Sequence, residues 1–474
     1  ATGEPVGFDF REMAPAAARP DMWLVNGEYD RVRHHNSHMA VGVPGTVAGL
    51  HMAWKAHGKM PWSRLVRPAI ELANDGIVVT DGLARSLAYQ IPRFEKYAAS
   101  LAKFTNDGKP LVACEVWKQP DLAAALLRIS EHGPAGFYEG KTADLIVEDM
   151  KKSGGIITHA DLKSYDPLVR TPIRGTYRGH QIIGMPPPSS GGIAVVETLN
   201  ILEGYDLTQS GFGSAENLHR YSEAMRRAFC DRAQHVGDPK WNPEMPIKRI
   251  VSKQYADTLR KTISPDRASK SSPSSFEWPA ESNETTHLSV VDSERNAVAL
   301  TYTLEYSYGS AIVVPGGGFL LNNEMGDFNP IPGTTNEVGY IGTKPNLAAP
   351  GKRMLSSMSP TIVVKDDKPF IVTGSPGGRT IINTTWQTIV NVVDFEMNAQ
   401  QAVDAFRVHH QWLPDRLMYE THGPSPDSLK ILRGMGHTLL ANEVQGCAEV
   451  IVVRDNHLEG GYDHRRPDGS AAGY

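Results

Sequence analysis

Apolar and polar residues alternate most clearly in two neighbouring segments, 284–292 and 297–303, with a polar stretch at 293–296 between them. Alternation with a period of two on both sides of a short turn predicts a β-hairpin. Thr285 and Thr286 stand at its leading edge, where either hydroxyl is a candidate nucleophile. Threonine is also a common strand residue, and the pattern alone favours that simpler interpretation.

Apolar residues spaced three and four apart predict helices in much of the remaining chain. Helices are expected at 65–76, 122–133, 143–152, 193–202, 214–235, 380–395 and 399–406. Short apolar runs bounded by turn residues predict strands at 178–185, 319–321, 361–364, 370–372 and 449–453. The residues after 456 have the composition of a polar tail. Hairpins bracketed by helices, without a repeat of fixed period, predict an α/β (α+β) sandwich.

Three segments rich in proline, glycine or serine interrupt these elements. At 186–192 three prolines end a strand and a serine is expected to cap the next helix, although the Ser-Ser-Gly-Gly turn is also suited to anion binding through backbone amides. The stretch 262–283 has few large apolar residues, so we expect it to be exposed and flexible and to lead the chain to Thr285. The long loop 329–350 is expected to be functional or disordered.

The 474 residues carry a net charge of −5, with 40% apolar and 21% charged residues. This balance is typical of a soluble globular protein and gives no reason to expect a nucleic acid or an acidic membrane surface as a partner. No apolar run reaches the roughly 18 residues that suggest a membrane-spanning helix. Cys114, Cys230 and Cys447 are too few and too scattered for a disulfide framework or a metal cluster, and each is expected to be a packed or free thiol.

Four further segments, taken with the hairpin, resemble one known family. They are 9–15 (DFREMAP), 320–328 (LLNNEMGDF), 352–360 (KRMLSSMSP) and 373–378 (TGSPGG). In this order and spacing they resemble the gamma-glutamyltranspeptidase (glutathione hydrolase) family of N-terminal nucleophile hydrolases, over nearly the whole chain. The resemblance implies a four-layer αββα sandwich, in which two helical layers enclose two sheets. It also implies a precursor with a signal peptide and a glycine-rich segment before Arg11, relative to which this chain is incomplete.

The resemblance gives the first residue of the hairpin a catalytic role. A threonine hydroxyl is a weak nucleophile that needs a base, and the α-amine of a chain N-terminus, with a pKa of about 7.7 to 8.0, supplies one. The family implies that Thr285 Oγ attacks the Glu284 carbonyl and that the chain matures into two associated fragments, the large subunit 1–284 and the small catalytic subunit 285–474. From the residues alone, Thr286 remains a rival.

The resemblance also implies which residues surround the nucleophile. Thr303 on the facing strand is expected to hydrogen-bond it, and Gly377 and Gly378 are expected to donate the two N–H groups of an oxyanion hole. The γ-glutamyl end of the substrate carries an α-carboxylate and an α-ammonium, so its pocket needs a cation with hydroxyls for one and carboxylates for the other. The matching positions are Arg11, Ser356 and Ser357 for the carboxylate, and Glu324 and Asp327 for the ammonium.

Glu305 departs from the family pattern, because better-known members carry an amide at this position. Its negative charge is expected to assist ammonium binding, and the opposing effect is repulsion of the substrate carboxylate. In the long loop, Val338 or Tyr340 is expected to act as a lid that closes the donor pocket against water.

Two groups of histidines stand out and are assigned structural roles. A metal site at His34, His35 and His38 is disfavoured because no carboxylate or cysteine is arranged beside them. His409 and His410 are treated as structural because an N-terminal nucleophile brings its own base. No cofactor or metal is expected.

Together these residues predict an enzyme that transfers or hydrolyses the γ-glutamyl group of glutathione and related compounds through a γ-glutamyl-Thr285 ester. Water, an amino acid or a dipeptide is the acceptor, and the two self-cleaved fragments form a heterodimer. Two alternatives stay open: a cephalosporin (glutaryl) acylase-like amidase of the same fold, and a non-catalytic, uncleaved binding protein for γ-glutamyl peptides. The family implies a periplasmic or secreted location.

Overall fold

The structure is a computed structural model, and it describes residues 3–272, 285–337 and 340–473. Three of the sequence predictions fall outside these residues: the attack on the Glu284 carbonyl, the lid role of Val338, and the flexibility expected for 273–283. The other predicted elements lie within them.

Helices form where apolar residues recur at the spacing of a helical turn. They are α1 (Arg31–His35), α2 (Thr46–His57), α3 (Trp62–Asp75), α4 (Asp81–Phe94), α5 (Ala98–Phe104), α6 (Pro120–His132), α7 (Ala135–Tyr138), α8 (Gly140–Ser153), α9 (His159–Lys163), α10 (Gly191–Leu202), α11 (Leu207–Ser210), α12 (Ala215–His235), α13 (Ile247–Ile250), α14 (Lys253–Arg260), α15 (Thr380–Val393), α16 (Ala399–Asp404) and α17 (Pro426–Gly434). Every helix predicted from the periodicity is confirmed, with ends within one turn of those expected. None of the helices in the described ranges has both the length and the apolar character needed to cross a membrane.

The strands are mostly short and carry the alternation of a half-buried sheet. They are β1 (Gly7–Asp9), β2 (Leu24–Val25), β3 (Glu28–Tyr29), β4 (Ile77–Val78), β5 (Thr105–Asn106), β6 (Lys109–Pro110), β7 (Val116–Trp117), β8 (Leu168–Arg170), β9 (Ile173–Tyr177), β10 (His180–Gly184), β11 (Thr285–Val291), β12 (Ala297–Thr303), β13 (Thr361–Lys365), β14 (Lys368–Gly374), β15 (Val408–His409), β16 (Leu417–Glu420), β17 (Leu439–Asn442), β18 (Glu449–Val453) and β19 (Leu458–Tyr462).

The largest sheet has six strands in the order β19-β18-β14-β13-β10-β9, and all neighbours are antiparallel. On one face, α10 and α15 bury apolar residues against it, and α12 packs on α10. Every residue of α10 is buried, as expected for a helix enclosed on all sides. The predicted nucleophile hairpin packs against this sheet.

The predicted hairpin is confirmed as β11 and β12, paired from Thr285 opposite Thr303 to Val291 opposite Ala297. It packs face to face on the six-stranded sheet, and Ser289 Oγ donates to the Val372 carbonyl of β14 at 3.2 Å. Two stacked sheets with helices outside them are the layers of the predicted sandwich.

Two expectations about strands are wrong. The segment 319–321 forms only an isolated bridge, between Leu320 and Val313, because the Gly-Gly-Gly turn before it brings just one residue pair into register. The polar tail contains an edge strand, β19, which pairs with β18 and continues the large sheet. Two glycines and a glutamate in this strand weaken the alternation of apolar and polar residues by which a strand is predicted.

All three cysteines are free thiols, as predicted: Cys114 is exposed, Cys230 is half-buried and Cys447 is buried.

Candidate active site

The two candidate nucleophiles lie on opposite faces of β11, because successive side chains of a strand point in opposite directions. Thr286 is exposed, whereas Thr285 is half-buried and lines a cleft at the end of the hairpin. The cleft is lined by Thr285, Thr303, Glu305, Asp327, Ser356, Ser357, Met358, Gly378 and Ile381. Most of the residues predicted for the site therefore meet in one place, and Thr286 is not among them.

Thr303 lies directly opposite Thr285 in the hairpin register. Thr285 Oγ donates to Thr303 Oγ at 3.3 Å, and the Glu305 N–H donates to the same Thr303 oxygen at 2.9 Å. A backbone amide thus fixes the hydroxyl that in turn orients the candidate nucleophile. This is the kind of support that a positioned threonine hydroxyl needs.

Arg466 contacts the candidate nucleophile from the opposite end of the chain. Its Nη1 donates to the Thr285 carbonyl oxygen at 3.1 Å. The arginine follows β19, in the segment that the sequence analysis described only as a polar tail. Its contact fixes the backbone of Thr285, and the sequence offered no signal for it because the two residues are 181 positions apart.

Gly377 and Gly378 adopt φ values of +132° and +56°, which favour glycine. Their carbonyls accept hydrogen bonds from Thr380 N and Ile381 N at 3.1 and 3.2 Å, so both glycines sit just before the first turn of α15. Across the described ranges, neither glycine amide donates a hydrogen bond to the protein. Gly378 lines the same cleft as Thr285. Its N–H group is therefore available there to a ligand oxygen.

Arg11 is buried between the two residues predicted to bind the substrate ammonium. Its Nη1 lies 2.5 Å from Glu324 Oε2, and its Nη2 contacts Asp327 Oδ2. Its Nη2 also donates to the Leu355 carbonyl at 3.2 Å. The cation predicted for the substrate carboxylate and the carboxylates predicted for the ammonium are therefore in direct contact and form one charge cluster.

Acidic groups outnumber the cation in this cluster. Glu12 lies 3.7 Å from Arg11. Burial raises the pKa of Glu324 to about 8, although Arg11 opposes the rise, and burial likewise raises the pKa of Glu12 to about 7. Burial alone would lower the pKa of Arg11, but Glu324, Asp327 and Glu12 outweigh it and raise that pKa. The surplus of carboxyl groups favours a ligand that brings a positive charge.

Ser356 and Ser357 reach the cleft on a segment that the 186–192 turn holds in place. Ser190 Oγ donates to the Ser356 carbonyl at 2.6 Å, and Arg232 donates from Nε to Ser190 Oγ at 2.7 Å and from Nη2 to Ser357 Oγ at 2.8 Å. Ser190 occupies the N-cap position of α10 without a side-chain cap bond, but Ser189 Oγ accepts the N–H of Gly191, the first residue of the helix, at 3.1 Å, so a serine does bind the start of α10 as expected. Arg232, a buried residue of α12, is a supporting residue that the sequence analysis missed.

Glu305 lines the cleft and is paired with a histidine. His35 Nδ1 lies 2.9 Å from Glu305 Oε1, both side chains are buried, and the His35 ring stacks on Tyr306 at 5.2 Å. Gly326 permits this approach, because a Cβ atom there would lie 2.3 Å from His35 Nδ1 and 2.4 Å from Glu305 Oε2. The carboxylate of Glu305 is thus held at the cleft wall.

Tyr340 is the lid candidate that lies within the described residues. Its ring meets Tyr29 edge-on at 5.5 Å, and Tyr29 Oη lies 3.0 Å from His34 Nδ1. Tyr340 is not part of the lining of the cleft. The lid role therefore stays a prediction.

The remaining histidines of the two conspicuous groups contact different parts of the fold. His34 Nε2 lies 3.1 Å from the Met325 carbonyl oxygen, and His38 Nε2 lies 3.0 Å from Asp149. His409 Nδ1 lies 2.6 Å from Asn383 Nδ2, and His410 Nε2 lies 3.2 Å from Asp415. With His35 paired to Glu305, these contacts are those of buried, hydrogen-bonded structural histidines.

Three side chains far from the cleft have metal-ligand atoms close together, namely those of His219, Glu223 and His437. His219 Nδ1 lies 2.8 Å from His437 Nε2, and His219 Nε2 lies 2.7 Å from the Ser264 carbonyl. Glu223 is bound to Arg227 Nη1 at 2.6 Å. The two histidines contact each other and Glu223 is paired with Arg227, so these contacts account for the cluster without an ion.

The whole chain, residues 1–474, matches the family model described as Gamma-glutamyltranspeptidase. The glutathione hydrolase proenzyme of Escherichia coli (strain K12) is 45% identical over 478 residues, which cover 100% of this chain and 82% of the relative. Among solved structures, the cephalosporin acylase from Bacillus halodurans matches with a TM-score of 0.86 and 26% identity, over 100% of this chain and 85% of that one. The Helicobacter pylori gamma-glutamyltranspeptidase matches with a TM-score of 0.56 and 40% identity, over 57% of this chain and 77% of that one.

The fold is that of the N-terminal nucleophile hydrolases, with sheets stacked between helices. Within that class, the chain belongs to the gamma-glutamyltranspeptidase family.

Proposed function

We propose that this protein is a γ-glutamyltransferase and glutathione hydrolase. It cleaves the γ-glutamyl amide of glutathione and related compounds, and it passes the group to water, an amino acid or a dipeptide. The observation that carries the proposal is the cleft in which Thr285 faces Thr303, Gly378 and the acidic cluster around Arg11. The 45% identical relative from Escherichia coli bears the name glutathione hydrolase proenzyme, which supports the same activity.

The reaction begins with attack by Thr285 Oγ on the γ-carbonyl carbon of the substrate. The hydroxyl proton passes to the α-amine that cleavage before Thr285 exposes. The oxygen of the tetrahedral intermediate accepts hydrogen bonds from the Gly377 and Gly378 amides, and one such donor is worth about 2.7 to 4 kcal/mol. The C–N bond breaks, the leaving amine takes the proton, and a γ-glutamyl ester remains on Thr285. Water or an acceptor amine then attacks this ester and restores the hydroxyl.

The charge cluster around Arg11 selects the γ-glutamyl group. The substrate α-carboxylate takes its place beside Arg11, Ser356 and Ser357, and its α-ammonium meets Glu324 and Asp327. Without substrate, Arg11 contacts both of these carboxylates. When the zwitterion binds, Arg11 pairs with the substrate carboxylate, and Glu324 and Asp327 pair with the substrate ammonium.

Maturation follows from the same residue. The chain is cleaved before Thr285 into the fragments 1–284 and 285–474, which stay associated as a heterodimer because β9 and β10 of the first fragment share the six-stranded sheet with β13, β14, β18 and β19 of the second. The Escherichia coli relative is named a proenzyme. The matched chain of the Helicobacter pylori structure covers 57% of this chain, close to the 60% that 284 of 474 residues represent.

The acylase alternative has the support of a shared fold, since the Bacillus halodurans acylase has a TM-score of 0.86. A glutaryl group has no α-ammonium, however, so it would bring no second positive charge to the carboxyl groups that outnumber Arg11. The non-catalytic alternative leaves the free amides of Gly377 and Gly378 without a role. The cleft therefore favours γ-glutamyl transfer.

Turnover of two chromogenic anilides, one γ-glutamyl and one glutaryl, tests the proposal. We expect the γ-glutamyl anilide to be cleaved with kcat/KM at least about 100-fold higher, because the ammonium adds two charge-assisted hydrogen bonds worth about 1.5 to 3 kcal/mol each. Thr285→Ala should abolish turnover, while the matched control Thr286→Ala keeps it. Faster cleavage of the glutaryl anilide would establish an acylase, and activity that survives in Thr285→Ala would assign the nucleophile elsewhere.

The family resemblance also supports a periplasmic or secreted location for the enzyme. Fractionation of the native cells, with activity measured in each fraction, tests this.

A further inference from the structure

A second concave site lies beside the active-site cleft. It is a groove of about 410 Å³ between α4 and the loop that follows β12. Its lining consists of Asn36, Tyr89, Gln90, Pro92, Arg93 and Tyr306, and we call it the Arg93 groove. Aromatic walls with a few convergent polar groups are typical of small-molecule sites.

Arg93 is a half-buried cation with neutral partners. Its Nη1 donates to Gln90 Oε1 at 3.0 Å and to the Ser307 carbonyl at 2.8 Å, and its Nη2 donates to the Gly309 carbonyl at 2.6 Å. Within residues 3–272, 285–337 and 340–473, no carboxylate forms an ion pair with it. Burial lowers the pKa of Arg93, and the charges of Tyr306, Tyr97 and Glu305 do not compensate. A guanidinium has five N–H donors, so two remain for a ligand.

Tyr306 is the wall that the groove shares with the active site. Its ring stacks on His35, the partner of Glu305, and Arg93 Cζ lies 5.8 Å from its centroid. Tyr306 directly follows Glu305, which lines the cleft of Thr285. The groove and the cleft therefore adjoin where the chain passes from Glu305 to Tyr306.

We propose that the Arg93 groove binds the carboxylate end of the amino acid or dipeptide acceptor. This proposal rests on the proposed function and deepens it, because it assigns the second substrate to a defined place. The acceptor carboxylate receives the two remaining Arg93 N–H groups, and its side chain lies against Tyr89 and Tyr306. Its amine then faces the γ-glutamyl ester and forms the new C–N bond as the C–Oγ bond to Thr285 breaks. One amine proton passes to the released Thr285 Oγ, which becomes a hydroxyl again.

Two acceptors that differ only in charge test the proposal: glycylglycine, which has a free carboxylate, and glycylglycinamide, which lacks it. We expect the wild-type protein to prefer glycylglycine by about tenfold or more in kcat/KM for transfer from a γ-glutamyl anilide, as one charge-assisted contact allows. Arg93→Gln should abolish this preference. A general loss of structure would lower both rates and leave their ratio unchanged, so the ratio reports on recognition.

Two further variants sharpen the experiment. Gln90→Glu keeps the hydrogen bond to Arg93 and supplies a carboxylate from the chain itself, so it should remove the preference even if Arg93→Gln does not fold. Arg85→Gln is the matched control, because Arg85 lies on the same helix, is 69% exposed and pairs with Asp81. It removes the same charge and should keep the wild-type ratio.

Three outcomes would overturn the proposal. In the first, the wild-type protein would use both acceptors equally. In the second, Gln90→Glu and Arg93→Gln would both keep the wild-type preference. In the third, Arg31→Gln alone would abolish the preference, which would assign the acceptor carboxylate to Arg31, whose Nη2 lies 3.4 Å from the Tyr306 hydroxyl. Absence of γ-glutamyl hydrolysis in the wild-type protein would instead overturn the proposed function itself, and the groove proposal with it.

Discussion

Glu197 of α10 and Asp231 of α12 bring two carboxyl groups together in the core, away from the cleft. Both residues are buried, and the side chains of Glu197 and Asp231 hydrogen-bond each other. Burial, and then the charge of Asp231, raise the pKa of Glu197 well above its usual value, and Arg249 opposes the rise. Since two ionised carboxylates side by side in the core are unfavourable, Glu197 is held in its protonated form.

This pair makes stability depend on pH. Because the pKa of Glu197 is raised in the folded state, its contribution is fully present below the unfolded pKa of about 4.3 and is lost as pH rises through the folded value. Glu197→Gln removes the titrating group, so we expect it to raise the free energy of unfolding at pH 8 by about 1 to 3 kcal/mol and to have little effect at pH 4. Urea unfolding at the two pH values measures the difference.

Glu148→Gln is the control for this experiment, because Glu148 is exposed on α8. It should change stability equally little at both pH values. Equal loss of stability in Glu197→Gln at pH 4 and pH 8 would show that the Glu197 carboxyl does not titrate as described.

Individual residues of the site could be predicted from the sequence only where they belong to a family motif. The motif at 320–328 gave Glu324 and Asp327, but it gave no indication that Arg11 contacts both. Arg232 and Arg466 belong to no motif of the cleft, and only the fold brings them to Ser357 and Thr285. Side-chain contacts between distant segments depend on packing, which local patterns do not specify.

At the scale of elements, α12 holds the segment that leads toward Thr285. Glu223 Oε1 accepts a hydrogen bond from Ser269 N at 3.0 Å, and Arg226 Nη1 donates to Ser271 Oγ at 2.6 Å. Arg226 also pairs with Asp415, which accepts from Ser271 N at 2.9 Å. The described part of the stretch expected to be exposed and flexible is therefore tied to a buried helix by charged side chains.

We expect Arg226→Met to slow the cleavage before Thr285 by about tenfold or more, because the segment that presents the bond loses its anchor. Removing one partner of a buried ion pair also costs about 3 to 5 kcal/mol, so a lower Tm should accompany the slower cleavage. A denaturing gel of the purified precursor over time measures the rate.

Arg220→Met is the matched control for the anchor, since Arg220 lies on the same helix and pairs with Glu216. It should cleave at the wild-type rate. If Arg226→Met cleaved as fast as Arg220→Met, the anchor would have no part in maturation.

Elements with strong periodicity were the ones that the sequence predicted well. The hairpin of β11 and β12 alternates without interruption, and α12 repeats its apolar face over several turns. In contrast, α4 has Pro92 near its end, and β19 contains Gly460 and Gly461, so the sequence analysis missed both. Their positions are set by tertiary contacts, which override weak local preferences.

At the scale of the whole molecule, the cleft arises where the hairpin meets the large sheet. The strands β13 and β14 come after residue 285, and β9 and β10 come before it, so cleavage would leave one sheet shared by two fragments. Local patterns predicted a sandwich of sheets and helices, but only the family resemblance supplied its four layers. The number of layers depends on long-range pairing, which hydrophobic periodicity does not encode.

Maturation and γ-glutamyl transfer both require that Thr285 is the new N-terminus and the residue that carries the γ-glutamyl ester. Mass spectrometry of the active protein, quenched with acid during turnover of a γ-glutamyl anilide, tests this most directly. We predict two fragments that separate between residues 284 and 285, with the mass of one γ-glutamyl group added to the second fragment and localised to Thr285. Active protein with residues 284 and 285 still joined, or with the added group on another residue, would contradict it.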